Sequence, residues 1–306
     1  MSDAEEPTTT AEAPFDNPDG DIILRSTVDH VDFHTFKVIL SLMSPVFKDM
    51  FTLPQNSSQS GVSSVLVIPV AESGTTLESL LLLCYPAGTP TFDSLGDAKA
   101  VMEVAKKYDM QAAFNRAADL VIAQFPSDRA LELYALFCQF GLQDHAQIAA
   151  TQALKIKDLG RPSHVFNGLR NITGFDYHRL LAYHQECGVA AREAVKSRSY
   201  NAREWMCGKK TCTMAKTPPA ARAPAWFDEY LDLSGKELLT RPCESTLLES
   251  ASYICATIKA MECAKSISCK DCKSDLKVIQ SMDKFRALCI LHVQIAIMTE
   301  YLEDSD

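Results

Sequence analysis

The sequence predicts an α+β N-terminal domain, with a short β-hairpin, a further strand and about five helices, followed by a mainly α-helical C-terminal region. Three observations predict it. Ile22-Ile23-Leu24-Arg25 and Val31-Asp32-Phe33 are β-favouring runs of period two, joined across the polar turn Val28-Asp29-His30. Val46, Phe47, Met50 and Phe51, and later Val101, Val104, Ala105 and Tyr108, fall on single helical faces. From residue 126 onward the chain reads as helices.

The elements follow in order. Residues 1–18, opening Met1-Ser2-Asp3-Ala4-Glu5-Glu6, have neither the basic start nor the apolar core of a signal peptide and read as a disordered acidic tail. The hairpin comes next. Ser44 is a good N-cap, and Pro45 at the first helical position has no N–H to leave unsatisfied, so a helix starts there. Gln55 to Gly61 is small and polar and reads as a solvated loop. Val65-Leu66-Val67-Ile68-Pro69-Val70 adds a third strand, which Pro69 confines to an edge or a strand end.

Five ordered blocks carry a family resemblance. They are Gly20 to Thr27, Phe33 to Leu40, Ser44 to Phe51 with its Ser-Pro-x-Phe start, Thr76 to Pro86 with Tyr85 at its end, and Asp97 to Met110. With a fifth helix over Phe114 to Phe125, residues 19–125 resemble a BTB/POZ domain and are most similar to the BTB proteins that basidiomycete fungi carry in large numbers. The resemblance implies a fold that exists to be bound: a homodimer, or a heterodimer with another BTB chain, formed through the first strand and helix. Ile22, Leu24, Val38, Leu42 and Met43 supply the apolar surface for that contact. The family's buried Asp and basic residue map onto Asp21 and Lys37; the resemblance implies that the charged pair ties strand to helix, as in most members, or lines a partner groove, as in transcription-factor members. The family usually places His-Lys or His-Arg at the start of the first helix. Here Phe36-Lys37 stands there, and His34 reads as a strand histidine without a role. An adapter that recruits substrates to a cullin-type ubiquitin ligase is a narrower version of the scaffold reading. The family's cullin-contacting hydrophobic-x-Glu is replaced by Thr52-Leu53-Pro54-Gln55.

Composition narrows the function classes. A net charge of −9 argues against sequence-independent binding to nucleic-acid phosphates or anionic lipid. No run of about 18 apolar residues suggests a membrane span, and Ala287 to Met298, broken by His292 and Gln294, reads as a buried helix. The chain reads as intracellular, which leaves Asn56-Ser57-Ser58 and Asn171-Ile172-Thr173 as plain loop sequence. No glycine-rich phosphate loop, nucleophile elbow or carboxylate pair on a common face points to an enzyme, and no zinc-finger spacing points to DNA reading.

Eleven cysteines are unevenly spread, with only Cys84 before residue 138. An intracellular setting argues for thiols or metal ligands over disulfides. Cys84, Cys138, Cys255 and Cys289 sit in apolar helical runs and read as core. Cys207-Gly208-Lys209-Lys210-Thr211-Cys212 and Cys269-Lys270-Asp271-Cys272 are two close pairs in polar surroundings. Four such thiolates could enclose a structural zinc, with Cys187, Cys243 and Cys263 as alternative ligands; reduced, partly buried thiols are the other reading. His184 and Cys187 share a helical face, but no oxyanion glycines or third orienting residue accompany them.

The region 126–306 reads as a helical domain. Ser127-Asp128-Arg129 caps Ala130 to Phe140, Gly141 breaks the helix, and Leu142 to Leu154 continues with Ile148, Thr151 and Leu154 on one side. This helix pair resembles the start of a BACK-type extension. Thr173 to Arg198 carries the stripe Tyr177, Leu180, Leu181, His184, Cys187 and Ala191. An exposed loop of about 206–224 follows, structure restarts at Trp226, and Thr246 to Ile267 and Ser274 to Leu302 read as two long antiparallel helices.

Overall fold

The computed structural model describes residues 8–53, 65–86, 88–196, 225–265 and 274–300. The chain divides into two compact units, residues 1–126 and 127–306.

In the first unit, strands β1 (Thr9–Thr10), β2 (Ile22–Ser26), β3 (Val31–Thr35) and β4 (Leu66–Val70) form one sheet in the order β1-β3-β2-β4. β2 and β3 are the expected antiparallel hairpin, with Leu24 opposite Phe33 and Arg25 opposite Asp32. Its turn closes through His30, in the left-handed region at φ 55°, while the Ser26 hydroxyl accepts the N–H of Val28. β4 runs parallel to β2 as an edge strand, the position that its Pro69 tolerates.

Five helices complete this unit: α1 (Lys37–Met43), α2 (Pro45–Thr52), α3 (Gly74–Cys84), α4 (Leu95–Lys107) and α5 (Gln111–Gln124). Ser44 ends α1 and caps α2 as its residue type predicts, accepting the Phe47 N–H at 3.1 Å. The same hydroxyl donates to the Tyr108 carbonyl at 2.5 Å, which fastens the joint between α1 and α2 to the end of α4. Ile22, Leu24, Phe33, Leu40 and Phe47 are all buried between sheet and helices, each such side chain contributing about 1.5–3 kcal/mol.

Residues 8–18 depart from the disordered tail that the composition suggests. Thr9 and Thr10 pair in parallel with Val31 and Asp32, and Phe15 is fully buried. Its ring stands edge-on to Phe33 and Tyr85, with centroids 5.8 and 5.3 Å away, and its carbonyl accepts the His34 N–H at 2.9 Å. One aromatic anchor in a polar stretch outweighs the average composition.

In the second unit a 3₁₀ turn (Ser127–Arg129) leads into α6 (Ala130–Phe140), which Gly141 stops at φ 73°. α7 (Gln143–Ala153) packs on α6, and its buried face is Ala146, Ala149, Ala150 and Ala153, while Ile148 is exposed. Then come α8 (Gly174–Lys196), α9 (Ala225–Thr240), α10 (Glu244–Leu248), α11 (Ala251–Lys265) and α12 (Asp275–Met298). The single helix expected from Thr246 to Ile267 is thus two. The break falls at Ser250, whose hydroxyl accepts the Ser252 N–H and starts α11.

α8 packs against α7, α9 and α12, burying Leu180, Tyr183, Cys187, Ala191 and Val195. Where α8 crosses α9, Gly188 lets the backbones approach: a Cβ there would lie 2.9 Å from the Leu239 carbonyl oxygen. Tyr230 of α9 lies between Tyr253 of α11 and Phe285 of α12, both ring centroids 6.1 Å away. Among the described residues no helix is long and apolar enough to cross a membrane.

Candidate functional site

The most exposed apolar group of the first unit lies on α1 and the start of α2. α1 has no side-chain cap of its own, so its first amides are satisfied from elsewhere in the fold. Asp21 Oδ1 accepts the Lys37 N–H at 2.7 Å, and the Tyr85 hydroxyl accepts the Phe36 N–H at 3.1 Å. Leu40 is the residue of α1 that points into the core. Val38 and Leu42, one turn apart on α1, face solvent at 62% and 81% exposure, and Val46 at the start of α2 is exposed at 38%. Phe47, next to Val46, is buried and stacks with Phe51 and Tyr108, with centroids 6.0 and 4.8 Å away.

This geometry sorts the residues expected to make contacts. Val38 and Leu42 are at the surface, and Met43 is half-buried beside them. Ile22 and Leu24, expected at the contact surface, are both buried within the chain, because β2 is an inner strand paired on both sides. The expected buried ion pair of Asp21 and Lys37 is replaced by a different bond. Asp21 is exposed, and its carboxylate takes the backbone amide of Lys37 at the positive end of α1.

Two charged arrangements escape the sequence reading. Arg25 grips Asp32 across the hairpin with two bonds, Nε–Oδ1 at 2.6 Å and Nη2–Oδ2 at 2.7 Å. The register that sets Leu24 against Phe33 also sets Arg25 against Asp32, so the signal was present in the period of two. Buried Glu72 receives Lys107 Nζ at 2.5 Å and the Tyr108 hydroxyl at 3.0 Å, and its backbone carbonyl accepts from Ser26 Oγ at 2.7 Å. The bond to Glu72 holds the Lys107 ammonium above its ordinary pKa, and burial raises the Tyr108 hydroxyl. With both carboxylate oxygens engaged, Glu72 acts as a structural tie between the β4–α3 connection and the end of α4.

The cysteines divide by burial. Cys289 is buried as expected and Cys84 and Cys138 partly so, whereas Cys255, expected in the core, is exposed because the inner face of α11 is taken by Tyr253, Ala256, Ala260 and Ala264. Burial pushes the thiols of Cys84 and Cys138 up to about 11 and that of Cys187 up to about 12, which keeps them protonated and poorly nucleophilic. Cys207, Cys212, Cys269 and Cys272 lie outside the described residues. Among the described residues no group of three or more His, Cys, Asp or Glu side chains could hold a metal ion.

Comparison with known proteins agrees with this architecture. The family model of the BTB/POZ domain matches residues 20–124, the span that holds β2 to β4 and α1 to α5. No curated protein gives a significant match to the chain.

Proposed function

We propose that this chain, through the BTB/POZ domain of residues 20–124, is a non-catalytic intracellular scaffold that joins a second copy of itself or another BTB chain. A BTB/POZ domain is a protein-interaction module. The observation that carries the reading is the exposed apolar group Val38, Leu42 and Val46. A helix of seven residues gains little from its own hydrogen bonds in water, and here its N-terminal end is pinned by Asp21 and Tyr85 and its C-terminal end by the Ser44 hydroxyl on the Tyr108 carbonyl. It therefore presents Val38 and Leu42 in a fixed direction, and covering each such side chain is worth about 1.5–3 kcal/mol. A two-fold axis that sets one such group against its equivalent would cover both at once.

Light scattering on the full chain at micromolar concentration tests this. The native protein should weigh twice 33.7 kDa, and the double variant Val38→Glu, Leu42→Glu should return to 33.7 kDa while keeping the native far-UV circular dichroism. A variant that stays dimeric would refute the proposed surface, and a native chain that is monomeric at every concentration would refute pairing with a second copy of itself.

A further inference from the structure

Between α7 and α8 the chain runs from Leu154 to Thr173 with a single 3₁₀ turn, Leu169–Asn171, as its regular structure. Connections of that length inside a compact unit are uncommon and usually have a role of their own. It bends through Asp158 (φ 52°), Gly160 (φ 96°) and Gly168 (φ 91°). Three polar bonds hold its first part down. His184 Nε2 of α8 lies 3.0 Å from the Ile156 carbonyl, the Asp158 N–H donates to the Thr240 carbonyl at 2.7 Å, and Arg241 Nε donates to the Lys155 carbonyl at 2.9 Å. At Gly160 the backbone runs close to the Leu181 side chain of α8: a Cβ there would lie 3.0 Å from Leu181 Cδ2.

We propose that this clasp is an acid-sensitive latch: neutral His184 holds the 155–164 segment against α8, and protonation of His184 releases it. His184 is buried, and with Nε2 donating to Ile156 the neutral ring carries its proton there. A second proton would place a cation in that buried site. Burial lowers the His184 pKa below its ordinary value of 6.5; the Ile156 carbonyl and Asp158 work in the other direction, and His164 adds to the lowering. The Asp158 carboxylate is engaged with Arg161 at 2.7 Å, and His164 brings a second ring whose Nδ1 is buried without a hydrogen bond. On α8 itself, burial raises the Tyr183 hydroxyl and the Cys187 thiol, so both stay neutral. The closed form therefore binds the proton less readily than the open one. The latch has its full strength above about pH 6.5 and loses it as the pH falls toward the lowered value.

Hydrogen–deuterium exchange of the full chain at pH 7.5 and pH 5.5, corrected for intrinsic rates, tests the latch. Peptides covering 155–171 should lose protection at the lower pH while those of α6 and α7 keep theirs, and His184→Gln, which retains a donor for Ile156 but cannot charge, should keep protection at both. An unchanged native segment, or the same loss in His184→Gln, overturns the proposal. So does His164→Gln alone removing the pH dependence. Should His184→Gln fold poorly, histidine NMR on the native chain decides: His184 must titrate below the ordinary range, with the 155–171 amides shifting at the same midpoint. Titration of His184 without that shift overturns the latch.

Discussion

Adding one methyl group at Gly188 measures how closely α8 and α9 are packed, and adding one at Gly235 provides the control. In a helix interior Gly→Ala gains about 1 kcal/mol through the backbone. At Gly188 the new Cβ would sit 2.9 Å from the Leu239 carbonyl oxygen and 3.3 Å from its Cα. A backbone cannot rotate aside as a side chain does, so α9 must shift, and overpacking of this kind costs about 1–3 kcal/mol. The net expectation for Gly188→Ala is a loss of up to about 2 kcal/mol. At Gly235 the new Cβ would meet Arg192 Cγ and Lys196 Cε, both at 3.2 Å, and these flexible stems can give way. Gly235→Ala should therefore keep most of its gain. At about 2–4 °C per kcal/mol, calorimetry on the full chain should show melting shifts of opposite sign. A Gly188→Ala protein that gains stability as Gly235→Ala does would refute the close approach of the two helices.

Two further outcomes follow from the first unit. Asp21→Ala removes a helix cap and should cost about 1 kcal/mol in urea denaturation; a loss of about 3–5 kcal/mol would instead be the mark of a broken buried ion pair. Ser44→Ala removes the cap on Phe47 and the donor to the Tyr108 carbonyl together, so it should cost more than Asp21→Ala, about 1–3 kcal/mol. A loss under about 0.5 kcal/mol, below the usual range for a cap, would mean that Ser44 does not join α1–α2 to α4.

Local signals carried far in this chain. Ser44-Pro45 started a helix and Gly141 ended one, because each acts through its own backbone geometry. The hairpin was readable from the alternation of its strands and the polar turn between them. What could not be read were choices that depend on neighbours distant in sequence. Ile22 and Leu24 look as sticky as Val38 and Leu42, and only the placement of β4 and the helices buries the first pair and leaves the second in water. The family resemblance set charge against charge at Asp21 and Lys37, but the fold offers the carboxylate a backbone amide instead. In α7 the side that carries Ile148 is not the buried one, and alanines fill the contact with α6.

The segment before β2 changes where this domain ends in a physical sense. The family match begins at residue 20, but the sheet's flank is closed by Thr9 and Thr10, and Phe15 plugs the gap between Phe33 and Tyr85. A protein trimmed to the family boundary would bare the unpaired amides and carbonyls of β3 along a β-branched and aromatic strand, with a ring-sized hole beside it. An uncovered strand border of that kind is a template for adding further chains. The short leading strand and its phenylalanine thus cover the β3 edge that a further chain could otherwise pair with.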